Sequence, residues 1–453
     1  MRKYSLPRLA RVVAILVCLA VPAAAAQYIM QIAAGADISQ VTARYGLAVV
    51  RPLSDDGHTL YLVSGPDPAP PNFVKTVLTD PSVREFEPDE RVQSPETQPT
   101  APVIADVSAL TAAAQDLTTV PYYGATLRNS YVNQPAGTLI GLPAVLQSYA
   151  TGAGVVAVID TGVDPNHPAL QGVLVPGYDF TRNLPGIPSE LDDLTQSTVA
   201  ILDQSTVAIL DRTQCPYLLN QSTVAILDQS TVAILDGGGG LPEDFGHGTM
   251  VAGLIHLVAP TARIMPLKAF HADGTANLSD IVRAIYFAVD NGAGVINMSF
   301  SSRTASTTLA AAVQYAWSHN VICVASAGND GREGVVVHPA ADKGTLGVGS
   351  TTDLDQRSSF SNYDSPSVRM AAPGDALVTT YPGNHYAGVW GTSFSTALTS
   401  GAAALLLQLA PKITVGHALS ALEHGQQLHI DADMGDGGRL DVYSAILYCL
   451  KKD

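Results

Sequence analysis

Cysteine is scarce: there are four in 453 residues, spaced too widely for a disulfide framework or a zinc site. Cys18 falls in the N-terminal apolar stretch, Cys215 in a repeat region, Cys323 in the core-like run VICVAS and Cys449 near the end. A Cys215 to Cys449 bridge is conceivable, but no spacing argues for it. Positive charge is also short, with 24 Lys and Arg against 40 Asp and Glu. Four of the bases lie in the first 26 residues, so the remainder carries 20 bases against the same 40 acids. Such a chain repels phosphates and anionic bilayers, which excludes nucleic acid and membrane surfaces as partners. Long apolar runs are missing except VVAILVCLAV, which follows Arg2, Lys3, Arg8 and Arg11 and precedes the small residues AAAA before Gln27. That layout predicts a cleavable export signal over 1–26, too short to span a bilayer, and hence a secreted or periplasmic product. His256, His271 and His338 have no acid or cysteine at metal-ligand spacing, so no metal ligands are assigned.

The chain is 47% hydrophobic, enough for a substantial core in two or three folding units. Residues 27–93 alternate apolar runs (YIMQI, LAVV, TLYLV) with helix-like stretches (ISQVTARYG, NFVKTVLTD), predicting a small α+β domain. Residues 94–130 read as a linker from their Pro, Ser, Thr and Ala content. From 131 to 453, runs such as GVVAVID, RIMPLKAF, GVINMSF and VICVASAG alternate with helical patterns. This predicts an α/β fold with a mostly parallel sheet, whose working crevice lies beyond the carboxyl ends of the strands. Asp160, Ser299 and Asn329 stand at or just past such ends.

Taken singly, the polar residues at these junctions are ambiguous. Nucleotide enzymes also place an aspartate like Asp160 after a buried strand; His247 in FGHGTMVAG could be an idle loop histidine; Ser393 in GTSFSTALTSG could be a helix N-cap. Together they are far more specific. A serine hydroxyl needs a neutral imidazole to take its proton, and the imidazole needs a carboxylate to hold its tautomer and stabilise its charged form. Asn329 in ASAGND and the Ser393 backbone amide could then supply donors to a tetrahedral oxyanion.

The segments VVAVIDTGVD, FGHGTMVAG, VINMSF, ASAGN, SSFSNYDSP, AAPGD and GTSFSTALTSG, in the order Asp, His, Ser, resemble the subtilisin-like serine proteases. The resemblance implies a three-layer subtilisin-like catalytic domain. Asp160 would orient, His247 act as general acid/base, Ser393 attack and Asn329 stabilise the oxyanion, with substrate lying along Ser299, Phe300, Ser301 and Gly328. It implies a secreted endopeptidase acting on proteins or peptides, with no cofactor for the chemistry and a structural calcium compatible with the family at no assigned position. DADMGDGG at 431–438 fails the EF-hand spacing. The text from QYIMQI to DPSVREFEPDERVQ resembles the inhibitory pro-domain of such enzymes, making 27–93 an intramolecular inhibitor. The competing expectation is a catalytically silent binding or assembly protein with an occluded cleft.

Three positions depart from the family pattern: Met250 replaces a second histidine, the strand continues as Ser299, Phe300, Ser301, Ser302 instead of leucine and glycines, and Ala397 replaces a proline. Preference is affected more than the reaction. A longer departure is the insert at about 184–240, which carries four copies of QSTVAILD. Each copy ends in an aspartate, so Asp203, Asp211, Asp228 and Asp236 rival Asp160. Gln or Arg follows the first three; only ten residues separate Asp236 from His247, whereas Asp160 is followed by the turn-forming Thr161 and Gly162. An eight-residue period rotates a helical face by about 80° per copy, so no apolar stripe persists; as a strand it keeps each residue on one face. The copies are expected to be dispensable for chemistry and prone to aggregate, with deletion of 190–236 as the test.

Overall fold

The computed structural model describes residues 25–54, 59–94, 110, 112–113, 115–194, 224–226, 241–242, 244–425 and 434–451. The apolar stretch of the expected signal, most of the repeats with Asp203, Asp211, Asp228 and Asp236, Cys215, and residues 431–433 lie outside them.

The N-terminal unit is a four-stranded antiparallel sheet ordered β2-β3-β1-β4, formed by β1 (Ala26–Ile32), β2 (Ala48–Pro52), β3 (Leu60–Gly65) and β4 (Val83–Pro88). Period-two alternation gives it two apolar faces. Tyr28, Met30 and Val63 pack with Phe73, Val77 and Phe86 into the unit's own core. Ile29, Leu60 and Leu62 on the other face pack with Leu278, Ile281 and Ala312 of the main body. Asp37 caps the helix Ile38–Tyr45, accepting from Ser39 N at 2.8 Å, and Gly46 ends it at φ 66. Beyond β4 runs a short strand β5 (Arg91–Gln93).

Part of the stretch whose composition suggests a linker is structured: β6 (Thr119–Tyr122) and β7 (Ala125–Arg128) form a hairpin. Tyr123 and Gly124 turn it with φ of 43 and 93, the paired left-handed values that suit a two-residue hairpin. Tyr122 and Leu127 are buried in the main core, which outweighs the linker-like composition around them.

The main body is an eight-stranded sheet, ordered β10-β9-β12-β8-β14-β15-β16-β17. Its strands are β8 (Val155–Asp160), β9 (Gly177–Asp179), β10 (Leu184–Gly186), β12 (Arg263–Lys268), β14 (Val295–Met298), β15 (Ile322–Ser326), β16 (Thr345–Thr351) and β17 (Met370–Pro373). All neighbours run parallel except the β9–β10 hairpin at one edge. Helices cover both faces, so the inner strands are mostly apolar and buried along nearly their whole length. Leu278–Asp290 and Thr307–Ser318 lie on one side; His247–Val258 and Thr392–Leu409 cross on the other, with every residue of the former buried. A Cβ on Gly401 would come 2.7 Å from Val258 Cβ, so glycine is what lets these two helices touch. A smaller sheet joins β18 (Leu377–Tyr381), β19 (His385–Val389) and β11 (Val224–Ile226), the last a piece of the third repeat copy paired antiparallel to β19.

The insert expected from about 184 begins with ordered structure: β10, then a 3₁₀ turn Glu190–Asp193 capped by Ser189. On the far side β13 (Thr275–Asn277) pairs antiparallel with β5, bringing the end of the N-terminal unit onto the main body.

Candidate active site

β8 ends at Asp160, and the next backbone amide, Thr161 N, donates to Asp160 Oδ1 at 2.7 Å. Gly162 then turns the chain at φ +105. The helix carrying His247 starts against this turn, and its second residue must be glycine: a Cβ on Gly248 would sit 2.0 Å from Gly162 O. That close approach lets His247 Nδ1 lie 2.8 Å from Asp160 Oδ1. Both side chains are buried. A carboxylate on Nδ1 fixes the ring so that the other nitrogen, Nε2, is the basic one.

Ser393 lies in the first turn of the helix Thr392–Leu409, and its Oγ donates to Ser299 O at 3.2 Å. Ser299 Oγ in turn donates to Ser393 O at 2.9 Å, tying that helix to the end of β14. Asn297 supports the same junction, donating from Nδ2 to Ser299 Oγ at 2.9 Å and accepting from Ser400 Oγ at 2.9 Å. Phe394 brings this junction to the histidine, with ring centroids 5.6 Å apart. Asn329 is oriented through its oxygen, which accepts from Thr392 N at 2.9 Å and Thr392 Oγ1 at 2.8 Å; its amide NH₂ is the opposite end.

The four residues singled out for substrate contact occupy different depths. Ser301 and Asn329 line a cavity of about 280 Å³ together with Arg303 and Asp330, which form an ion pair across it. Phe300 is buried, stacked near Phe270 with centroids 5.1 Å apart, and backs a second cavity of about 220 Å³ with Leu278 and Ile281. Ser299 is held by the hydrogen bonds to Ser393. Gly328 lies behind these surfaces, where a Cβ would meet Asn362 Nδ2 at 2.6 Å.

The first cavity is also lined by Arg91, Val92 and Gln93 of β5, and Val92 fills part of the second. β5 is anchored by main-chain pairing to β13, and Ser94 N donates to Gly274 O at 2.8 Å. Ser94 is buried beside Asp160, Asp244, His247 and Ser299, with no room for a water between them. Two carboxylates hold the unit in place: Asp89 accepts from Ser279 N and Ser279 Oγ, both at 2.8 Å, and Glu87 accepts from Thr308 N at 2.9 Å and Ser306 Oγ at 2.8 Å. Each sits at a helix N-terminus, where free amides and the helix dipole favour negative charge.

One buried carboxylate at the site has no motif in the sequence. Glu190, fully buried, accepts from Gly248 N at 3.0 Å and from the hydroxyls of Thr161 and Thr249. Burial pushes its pKa up to about 7, with Asp160 adding to the rise, while the two threonine bonds and Lys268 oppose it. Nothing in GIPSELDD distinguishes this glutamate from neighbouring acids. Among the described residues no cluster of three or more His, Cys, Asp or Glu is placed to hold a metal ion.

Residues 152–435 match the family model described as the Subtilase family. The chain is 32% identical over 310 residues to a thermophilic serine proteinase of Bacillus sp. (strain AK1), covering 65% of this chain and 61% of that protein. It is 29% identical over 315 residues to thermitase of Thermoactinomyces vulgaris, covering 66% of this chain and 91% of thermitase. Among solved structures it resembles fervidolysin from Fervidobacterium pennivorans, described as a keratinolytic enzyme related to subtilisin, with a TM-score of 0.65 at 20% identity over 93% of this chain and 61% of that one. The chain thus spans less than two thirds of the Bacillus proteinase.

Proposed function

The chain belongs to the subtilase family, and on that premise we propose that it is an exported serine endopeptidase, made with an N-terminal pro-domain that inhibits it in place. The observation that carries this reading is the 2.8 Å contact of His247 Nδ1 with Asp160 Oδ1 beside a helix whose first turn carries Ser393. In the proposed reaction His247 Nε2 takes the proton of Ser393 Oγ as the oxygen attacks the peptide carbonyl, and Asp160 stabilises the resulting imidazolium. The Asn329 NH₂ and the Ser393 backbone amide donate to the oxyanion. His247 then protonates the leaving amine, and water repeats the sequence on the acyl-enzyme. Substrate runs antiparallel to β13, with Ser299, Phe300 and Ser301 on its other side, and Gly328 keeps the backbone at Asn329 in position.

The pro-domain reading rests on β5 and Ser94 lying where such a substrate would lie. The same contact favours a second reading, a silent protein whose cleft stays occluded. A fluorophosphonate probe separates them. Labelling that appears as the N-terminal unit is released, and vanishes in Ser393→Ala, supports the peptidase; a folded full chain that neither releases the N-terminal unit nor labels supports the occluded binder.

A further inference from the structure

We propose that Glu190, at the root of the repeat insert, is a positioning residue for the Asp160–His247 pair, joining the backbone that follows the aspartate to the backbone that follows the histidine. This rests on the peptidase reading above. Its two oxygens take donors from both sides: the Thr161 hydroxyl next to Asp160, and Gly248 N and the Thr249 hydroxyl next to His247. Thr161 Oγ1 is itself 3.0 Å from Gly248 N and 3.2 Å from Asp160 Oδ1. Three donors converging on one buried point suit a carboxylate, which can accept on both of its oxygens. The glutamate therefore fixes the spacing across which His247 reaches Asp160.

The surrounding charges give the arrangement a pH signature. Asp160 and His247 lie on either side; Lys268 approaches from β12, Asp193 from the same 3₁₀ turn with Arg182 paired to it, and the Tyr381 phenol from β18. Lys268 Nζ, fully buried, donates to Thr161 O at 2.6 Å, Phe270 O at 2.8 Å and Asp193 Oδ2 at 2.6 Å. Asp193 is held by both Lys268 and Arg182, so Asp160, ionised Glu190 and Asp193 set three carboxylates against two cations, and the local balance is negative. An imidazolium at His247 is favoured by that balance. When Glu190 is ionised the Thr161 hydroxyl donates to it; when Glu190 carries a proton, the hydroxyl is released to donate to Asp160, which makes the aspartate a poorer partner for the imidazolium. Glu190 and His247 are thereby coupled through the Thr161 hydroxyl and the Asp160 carboxylate.

The test uses the full chain, allowed to release its N-terminal unit, with active sites counted by fluorophosphonate titration and kcat and KM measured from pH 5 to 10. Glu190→Gln keeps the shape and removes the charge: the acid limb of kcat/KM moves to lower pH by roughly half a unit, with KM within about twofold. Glu190→Ala removes the acceptor as well, and kcat falls by about 10- to 100-fold at similar KM. The imidazole of His247, titrated by NMR in a Ser393→Ala background, shifts down in Glu190→Gln by the same amount, a result independent of turnover. The inference is overturned if both variants overlay the parent, if kcat falls while the acid limb and the imidazole titration stay put, or if neither variant folds, each of which leaves Glu190 a scaffold residue. A parent that neither labels nor cleaves, with a normally shifting His247 titration, overturns the peptidase reading and keeps the coupling; an unshifted titration overturns the coupling alone.

Discussion

Two segments from outside the core of the main body meet at Asp160 and His247, and they are held in opposite ways. The strand Arg91–Gln93 with Ser94 enters from the front through main-chain bonds to β13 and Gly274. The turn Glu190–Asp193 enters from behind through side chains, Glu190 to three donors and Asp193 to Lys268 and Arg182. Main-chain pairing tolerates almost any sequence and can be exchanged for another strand, which suits a segment that gives way to substrate, as the proposed pro-domain would. Side-chain bonding in a buried site is specific and costly to break, which suits a permanent support. The front contact is built to leave and the rear one to stay.

Breaking the rear contact gives the largest expected effect. Deletion of 190–236, which the sequence alone suggests is harmless to the chemistry, also removes Glu190 and Asp193 and leaves Lys268 buried without its carboxylate partner, a loss of about 3–5 kcal/mol. We expect peptidase turnover to fall by more than about 100-fold, or the protein to unfold below 37 °C, read by active-site titration and thermal melting. Full activity in this deletion would erase the distinction between the two segments.

Next in size is the grip of the N-terminal unit. Glu87→Ala with Asp89→Ala strips the acceptors from Thr308 N and Ser279 N, each such cap being worth about 0.5–2 kcal/mol. Added in trans as residues 25–94, the double variant should inhibit the mature domain about 5- to 700-fold less tightly than the parent unit, whereas Gln93→Ala, which leaves the main-chain pairing intact, should change it less than about threefold. Equal losses from both would show that side chains, not the backbone, hold the front segment.

Stability against pH sharpens the rear contact further. Glu190 has its folded pKa raised from the ordinary 4.5 to about 7. In that window the folded protein binds more protons than the unfolded chain, so this group makes stability fall as pH rises from about 4.5 to 7, with the penalty complete above 7. Glu190→Gln should remove that slope, seen as melting temperatures of parent and variant that converge or cross over this range. Parallel curves would place the carboxyl outside the buried network.

What was legible in the sequence follows the same division. The fold class could be read because parallel strands buried on both faces leave apolar runs such as VVAVID and ICVAS, each ending in a polar residue. Asp160, His247, Ser393 and Asn329 were legible because glycines, helix starts and strand ends mark where backbone must approach closely, as Gly248 against Gly162 O shows. Glu190 was not, since three convergent donors come from positions 161, 248 and 249, and no local pattern announces a contact across 58 residues. The hairpin Thr119–Arg128 was hidden for a related reason: its strands are four residues long, and burial of Tyr122 and Leu127 against the main core decides its structure.

The smallest expected effect comes from the repeats themselves. Residues 204–211 are one copy of QSTVAILD, lying between the described turn ending at Asp193 and the strand Val224–Ile226 on β19. Removing this copy leaves Glu190, Asp193 and the paired strand in place and shortens only the chain between them. Closure entropy changes by only a few tenths of a kcal/mol for such a length change, so kcat/KM of the deletion should stay within about twofold of the parent. Solubility should rise, because one uncharged, β-branched segment without proline or glycine is gone. A tenfold loss of activity would mean that the repeats press on the catalytic support through Glu190, and the rear contact would then be a lever as well as a clamp.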